Sequence, residues 1–298
     1  MKKDLSRKEF EILETLISVN KTLSQRDLEK NMKYSLATVN RTMKGLDSKG
    51  YVKDGLITDK GIHKMDSYSV KRAIFLAAGF GSRLVPITLN TPKPLITVHG
   101  KRIIDGLIDA VIEAGIEEII IVRGYLAEKF DELKEKYPQI QFVNNNLYNE
   151  ANNISSALCV KDYMKNAYVF EADLLISNPS IIKKYHYTSD FLAIKKKRTD
   201  DWCFEVEDNI ITEEKIGGTD CYQMVGISYW DKEDGEKLSK HILDTFNMPG
   251  GKECYWEQVP LVKFKDDYKV EISECLEEDI VEIDTFNELK KIDKTYDV

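Results

Sequence analysis

The residues best suited to chemistry in this chain of 298 residues lie early in its second quarter. Arg72–Ala77 (RAIFLA) is a short apolar run of buried-strand type, and Ala78-Gly79-Phe80-Gly81-Ser82-Arg83 follows it directly. A strand opening into a glycine loop brings backbone N–H groups against a phosphate in α/β folds. Gly79 and Gly81 let the main chain approach a ligand with no Cβ between. The span 71–100 has no Asp or Glu while carrying Lys71, Arg72, Arg83 and Lys93. In a chain of net charge −8, such a stretch marks a place where anions sit. No Gly-Lys-Ser/Thr follows, which excludes a Walker A loop, and Leu84 stands where a dinucleotide fingerprint has its third glycine. Lys93, between Pro92 and Pro94, has a restricted backbone. Asp173 directly follows Tyr-Val-Phe-Glu-Ala (168–172), beyond a strand's carboxyl end. There it can serve as a magnesium ligand facing a triphosphate, or as an ordinary turn residue.

The run LAAGFGSRLVPITLNTPKPLITV, residues 76–98, resembles the signature of nucleotidyltransferases that join a nucleoside triphosphate to a phosphorylated small molecule. The resemblance implies that the backbone of Leu76, Ala77, Ala78, Gly79 and Gly81, with Ser82, cradles base and phosphates. It further implies that Arg83 grips the leaving pyrophosphate and that Lys93 lies against the transferred or attacking phosphate. Phosphoryl-type transfer is mainly positioning and charge neutralisation, so these roles are physically consistent. The resemblance also selects metal binding for Asp173, with Glu171 ranked behind it. The stretch Tyr148–Ser156 resembles the family's loop beside base and substrate, which adds Asn145, Asn152, Asn153 and Ser156 to the nucleotide site. An asparagine donates and accepts, as reading a pyrimidine edge requires, though Asn152 is also a natural helix N-cap.

The C-terminal part holds all three tryptophans, Trp202, Trp230 and Trp256. The order Asp-Asp-Trp (200–202), Val-Gly-Ile-Ser-Tyr-Trp-Asp (225–231), Cys-Tyr-Trp-Glu (254–257) and Val-Glu-Ile-Asp (281–284) is similar to bacterial phosphocholine cytidylyltransferases. By that likeness Trp202 and Tyr255 help cage a trimethylammonium, with Trp256 and Glu257 as further cage residues. A quaternary ammonium cannot donate hydrogen bonds and is held by aromatic faces and a nearby carboxylate, either Glu257 or Asp201. Tyr255 and Trp256 point opposite ways in an extended segment, so only one of them need face the ligand. Asp284 matches a second metal aspartate, which makes Mg2+ the expected cofactor. Ile154 and Ser155 depart from the aromatics expected at their positions. The implied reaction is cytidylyl transfer from CTP to phosphocholine. Phosphoethanolamine, 2-aminoethylphosphonate or a sugar 1-phosphate are the alternative acceptors, and a transcription regulator sensing a cytidine nucleotide is the alternative of another class.

These residues need a scaffold, and the surrounding pattern supplies one. Strands are expected at 72–77, 118–122, 141–145 and 167–172, and helices at 103–113, 127–136 and 153–161. That alternation predicts a doubly wound α/β sheet, and the resemblance implies a mixed sheet of Rossmann-like nucleotidyltransferase type over residues 69–298. Trp230 continues the β-pattern of 223–230 and reads as core, while Lys195–Arg198 reads as the solvated end of a strand.

Residues 1–68 read differently. Helical stripes over 6–18 and 35–48, a Ser24/Asp27 capping box and a turn at Asp54-Gly55 predict a small winged helix-turn-helix domain. Its outer face on the third helix would carry Thr38, Asn40, Arg41 and Lys44. Residues 1–70 hold 14 Lys+Arg against 10 Asp+Glu, and the other 228 hold 29 against 41. The module's +4 is modest for the phosphate contacts that dominate DNA affinity, so DNA through residues 1–68 and a homodimer are open expectations. Five dispersed cysteines without a CxxC argue against a zinc ribbon or disulfide scaffold. The opening MKKDLSRKEF lacks an apolar stretch and no run approaches a membrane span, which predicts a cytoplasmic chain without membrane partners.

Overall fold

The computed structural model describes residues 4–19 and 23–297. The outermost ends of the expected domain spans, 1–3 and 298, and the stretch 20–22 lie outside the described residues. The chain divides into two units, one of residues up to Ser69 together with Tyr185–Tyr187, the other of Val70–Lys184 and the rest from Thr188.

The first unit runs α1 (Arg7–Val19), α2 (Gln25–Asn31), α3 (Leu36–Ser48), β1 (Val52–Lys53), β2 (Leu56–Ile57) and α4 (Asp59–Met65). Ser24 and Asp27 form the expected reciprocal cap on α2, and Ser35 caps α3 by accepting from the Thr38 N–H. Val39, Met43 and Leu46 of α3 join Phe10, Leu13 and Leu16 of α1 in one apolar cluster. β1 and β2 pair as an antiparallel hairpin. Its turn places Asp54 and Gly55 at φ 51° and 77°, the left-handed pair that a tight hairpin requires.

The second unit is built on β3 (Arg72–Ala77), followed by the two-residue strands β4 (Thr97–Val98) and β5 (Lys101–Arg102) and by α5 (Ile103–Glu113). Then come β6 (Glu118–Arg123), α6 (Leu133–Lys136), β7 (Gln141–Asn144), α7 (Ile154–Cys159), β8 (Ala167–Glu171) and β9 (Leu174–Ile176). The C-terminal part adds β10 (Asp190–Glu207), β11 (Ile210–Trp230), α8 (Lys232–Asn247), β12 (Glu271–Cys275), β13 (Ile280–Glu282) and α9 (Phe286–Ile292). Seven strands form one mixed sheet in the order β10-β12-β11-β8-β3-β6-β7. β8, β3, β6 and β7 are parallel, and β11 joins β8 antiparallel.

The period-2 alternation of β3 explains how the sheet is covered on both faces. Ala73, Phe75 and Ala77 enter one apolar cluster with Leu107, Ile108 and Val111 of α5. Ile74 enters the opposite cluster with Ala157 of α7 and Leu238 and Ile242 of α8. Phe75, with no exposed surface, stacks on Phe170 at 4.7 Å, and burying such a side chain contributes roughly 1.5–3 kcal/mol. β3 is therefore anchored from both sides just before the glycine loop.

Three expectations shift. The segment 127–136 is a 3₁₀ stretch, Ala127–Glu132, followed by the short α6, which stops at Lys136 because Pro138 keeps Tyr137 out of helical geometry. α7 ends at Cys159 rather than 161, where Val160 leaves the helical region at φ −122°. Lys195–Arg198 lies within β10 rather than at its end; Lys195, Lys197 and Arg198 are exposed there, and Lys196 pairs with Glu277 at 2.6 Å. Trp230 is fully buried, as its pattern predicts. Among the described residues no helix is long and apolar enough to cross a membrane.

Candidate active site

β3 ends beneath a cavity of about 410 Å³ lined by Leu76–Arg83, Lys93, Asn145, Asn152, Asn153, Ser156, Asp173 and Asp284. Every residue expected to bind nucleotide, metal or the transferring phosphates thus faces one space, although Asp284 is 201 positions from Arg83 in sequence. The glycine loop turns at Gly81, where φ is 61° and an added Cβ would sit 3.0 Å from Lys93 Cβ and 3.1 Å from Thr88 Cγ2. A Cβ at Gly79 would meet nothing, so the local packing demand for glycine rests on Gly81. Three 3₁₀ turns, Ser82–Leu84, Ile87–Leu89 and Lys93–Leu95, carry the chain from the loop to Lys93.

Charges of both signs meet across this cavity. Lys93 Nζ donates to Asp173 Oδ2 at 2.7 Å and to Asp284 Oδ1 at 3.1 Å. Arg83 grips Asp284 through two nitrogens, at 2.6 and 3.0 Å. Burial works against the Lys93 charge, but Asp173, Asp284 and Glu282 outweigh it and hold its pKa above the ordinary lysine value. Burial likewise opposes ionisation of Asp284, yet Lys93 and Arg83 keep it below the usual carboxylate range. Glu171, Asp173 and Glu282 each offer an oxygen within 4.8 Å of the others. Burial and the neighbouring carboxylates push Glu171 well up and Glu282 to about 8. Asp173 Oδ1 is buried with no hydrogen-bond partner among the described residues. An all-oxygen donor set with an orphaned carboxylate oxygen fits a hard divalent cation. Glu282 was not foreseen, although its spacing two residues before Asp284 puts both on one face of an extended segment.

Some expected contacts are structural. Asn145 spends both amide hydrogens on Ser155 Oγ and Ser156 Oγ, and its oxygen accepts from the Leu147 N–H. It braces the loop rather than presenting donors to a base. Asn152 is not the cap of α7; its oxygen accepts from the Asn153 N–H, and Asn153 occupies that position. Phe80, exposed at the cavity, packs on Tyr148 at 5.3 Å and Tyr125 at 5.1 Å, an aromatic wall that the spacing left unassigned.

The expected cage is only partly assembled. Trp202 and Tyr255 meet edge to face at 5.8 Å, and Tyr255 lines the cavity. Trp256 belongs instead to the core: it is 3% exposed, between Phe191 and Trp230. The segment is a turn leading into the helical stretch Val259–Lys263 rather than extended, yet it still leaves Tyr255 at the site and turns Trp256 inward, where the large indole buries more apolar surface. Asp201 is exposed and accepts from the Trp202 N–H, whereas Glu257 is 4% exposed with Oε2 unpartnered among the described residues. Burial pushes the Glu257 carboxyl up to about 7, against hydrogen bonds from its own N–H and Asn153.

A glycine loop at the end of a central parallel strand, two cations and a facing set of carboxylates define an α/β protein with its charged groups gathered beyond the carboxyl end of the sheet, where such folds bind ligands. Residues 72–219 match the family described as Nucleotidyl transferase. The chain is 37% identical to the 2-aminoethylphosphonate cytidylyltransferase of Lancefieldella rimae over 228 residues, 75% of this chain and 92% of that one. It is 34% identical to the choline-phosphate cytidylyltransferase of Streptococcus pneumoniae over 229 residues, 75% and 97% of the two chains. The solved CTP:phosphocholine cytidylyltransferase of S. pneumoniae superposes with a TM-score of 0.70 at 31% identity, covering 76% of this chain and 99% of that one. The chain belongs to the nucleotidyl transferase family and is an enzyme of it.

Proposed function

We propose that the protein transfers a cytidylyl group from CTP to a short acceptor carrying a phosphate or phosphonate at one end and a cation at the other. Phosphocholine and 2-aminoethylphosphonate are the types; phosphoethanolamine belongs with them. The observation that carries this reading is a cavity joining the glycine loop, Arg83, Lys93, Asp173 and Asp284 to a corner made by Tyr255 and Trp202. Sugar acceptors need hydrogen-bonding partners for hydroxyls, whereas an aromatic corner beside a buried carboxylate suits a cation.

In this reading an acceptor oxygen attacks the α-phosphorus of CTP as the bond to the β-phosphate oxygen breaks, and pyrophosphate leaves. Lys93 and Arg83 exchange their carboxylate partners for phosphate oxygens and neutralise the charge that spreads in the transition state. Asp173 and Asp284, with Glu171 and Glu282 beside them, would hold Mg2+, which supplies Lewis-acid charge stabilisation. The loop from Leu76 to Ser82 seats the nucleotide, and Asn152, Asn153 and Phe80 border the space left for the base.

Residues 1–68 we read as a winged helix-turn-helix domain, supported by the capped α2–α3 pair and the β1–β2 hairpin. Arg41 and Lys44 are exposed on α3, as a DNA-facing helix requires. A pure regulator has no use for both cations and the full carboxylate set, so catalysis is the primary reading. The experiment is 31P NMR of the protein with Mg2+, CTP and each acceptor. A new pair of anhydride-linked phosphorus signals is expected with an aminoalkyl acceptor; CTP unchanged with every acceptor would refute the reading.

A further inference from the structure

Behind the aromatic corner lies a group that neither the motifs nor the family likeness singles out. Glu214 sits on β11 opposite Phe204 of β10, and two residues along the same hairpin Trp202 pairs with Ile216. Residues two apart on a strand, and their cross-strand partners, share a face, so Glu214 is the diagonal neighbour of Trp202. Both of its carboxylate oxygens are buried and unpartnered among the described residues. Glu257, two residues beyond Tyr255, adds a third orphaned acceptor, Oε2, on a side chain 4% exposed.

Leaving three carboxylate oxygens buried without donors is costly unless a ligand satisfies them. Proton retention partly relieves the cost: burial, then the charge on Glu257, pushes Glu214 up to about 8. A cation with N–H donors would relieve it fully. An alkylammonium has three N–H donors and a trimethylammonium has none. Three orphaned acceptors in two carboxylates beside Trp202 and Tyr255 match the first and not the second in number and in kind.

We infer that Glu214, with Glu257, is the specificity-determining pair for the acceptor, and that it selects an acceptor ending in a primary ammonium over one ending in a quaternary ammonium. The inference rests on the cytidylyl-transfer reading above and narrows its acceptor to the aminoethyl phosphonates and phosphates. Aromatic faces still contribute, since a primary ammonium on a short alkyl stem also packs against Trp202 and Tyr255. Glu214 is the selector, because it supplies two of the three acceptors, and Glu214→Gln removes its charge and turns one of those two into a donor.

The test is the ratio of kcat/KM for 2-aminoethylphosphonate to that for phosphocholine, measured at saturating CTP with the full chain and Glu214→Gln. The wild type is expected to favour the primary amine by at least about tenfold, the scale of one lost charged contact. In Glu214→Gln the ratio should fall about tenfold or more through KM for the primary amine, with KM for CTP unchanged. A substitution that merely loosened the hairpin would lower both acceptors together. If Glu214→Gln does not fold, Glu214→Asp, which keeps the charge but withdraws it by a methylene, reads the same ratio and should lower it less. A wild-type preference for phosphocholine, or a ratio unmoved by substitution at Glu214, overturns the inference while leaving cytidylyl transfer intact. Absence of transfer to every acceptor overturns the cytidylyl-transfer reading, and this inference with it.

Discussion

Lys93 shows how one side chain organises the site. It is 7% exposed and bonds two carboxylates that come from chain segments 111 residues apart, Asp173 and Asp284. In the proposed reaction an ammonium held at this point by two carboxylates would pass from them to the phosphate oxygens as charge develops there. Lys93→Met should therefore lower kcat about a hundredfold or more, read as pyrophosphate release, with a smaller effect on KM for CTP. It should also lower Tm, because two partly buried carboxylates lose a counter-charge. The two neighbouring aromatics separate cleanly by environment. Trp202→Ala should raise KM for the acceptor about tenfold and leave Tm nearly unchanged, since Trp202 is only half-buried. Trp256→Ala empties a core position packed on Phe191 and Trp230 and should cost about 3–5 kcal/mol in denaturant unfolding. Equal effects of the two on acceptor KM would mean that Trp256 reaches the ligand after all.

At the scale of elements, the glycine loop works because β3 beneath it is clamped by apolar clusters on both faces. Gly81→Ala forces a Cβ against Lys93 and Thr88 at a left-handed φ. It should lower kcat/KM about a hundredfold while circular dichroism stays unchanged, because the displaced group is Lys93 and not the sheet. Strand β3 was legible in the sequence because its apolar run is continuous and ends in glycine. Helix α5 was legible at both ends because its stripe is strongly periodic. The long β10–β11 hairpin was not, since its strands carry exposed charges and register shifts around Thr199–Trp202 that blur a period of two. The same irregularity hid Glu214, whose burial comes from neighbours distant in sequence. Motif order supplied Asp173 and Asp284, and it could not supply the Tyr255–Trp256 choice, which packing decides. Asn145 carried the right chemistry for a base contact, yet three local hydrogen bonds had already claimed it.

At the scale of the whole molecule, buried carboxylates couple stability to pH. Glu214 and Glu257 have pKa values near 8 and 7 in the folded chain, against an ordinary glutamate value near 4.5. Between those limits the folded protein keeps protons that the unfolded chain has released, so stability is fullest below about pH 4.5 for these groups and falls as pH rises toward 8. Metal-free protein should accordingly lose several degrees of Tm between pH 5.5 and 8, and Glu214→Gln should flatten that slope. A steeper slope in the variant would contradict the burial of Glu214. The central claim, cytidylyl transfer to a cationic phosphate or phosphonate, is tested most directly by pyrophosphate release from the full chain. The reaction would contain Mg2+ and CTP, with 2-aminoethylphosphonate, phosphoethanolamine, phosphocholine or glucose 1-phosphate in turn. The account predicts release that requires CTP and an amino-bearing acceptor, greatest with the primary amines. Release only with glucose 1-phosphate, or none with any acceptor, would contradict it.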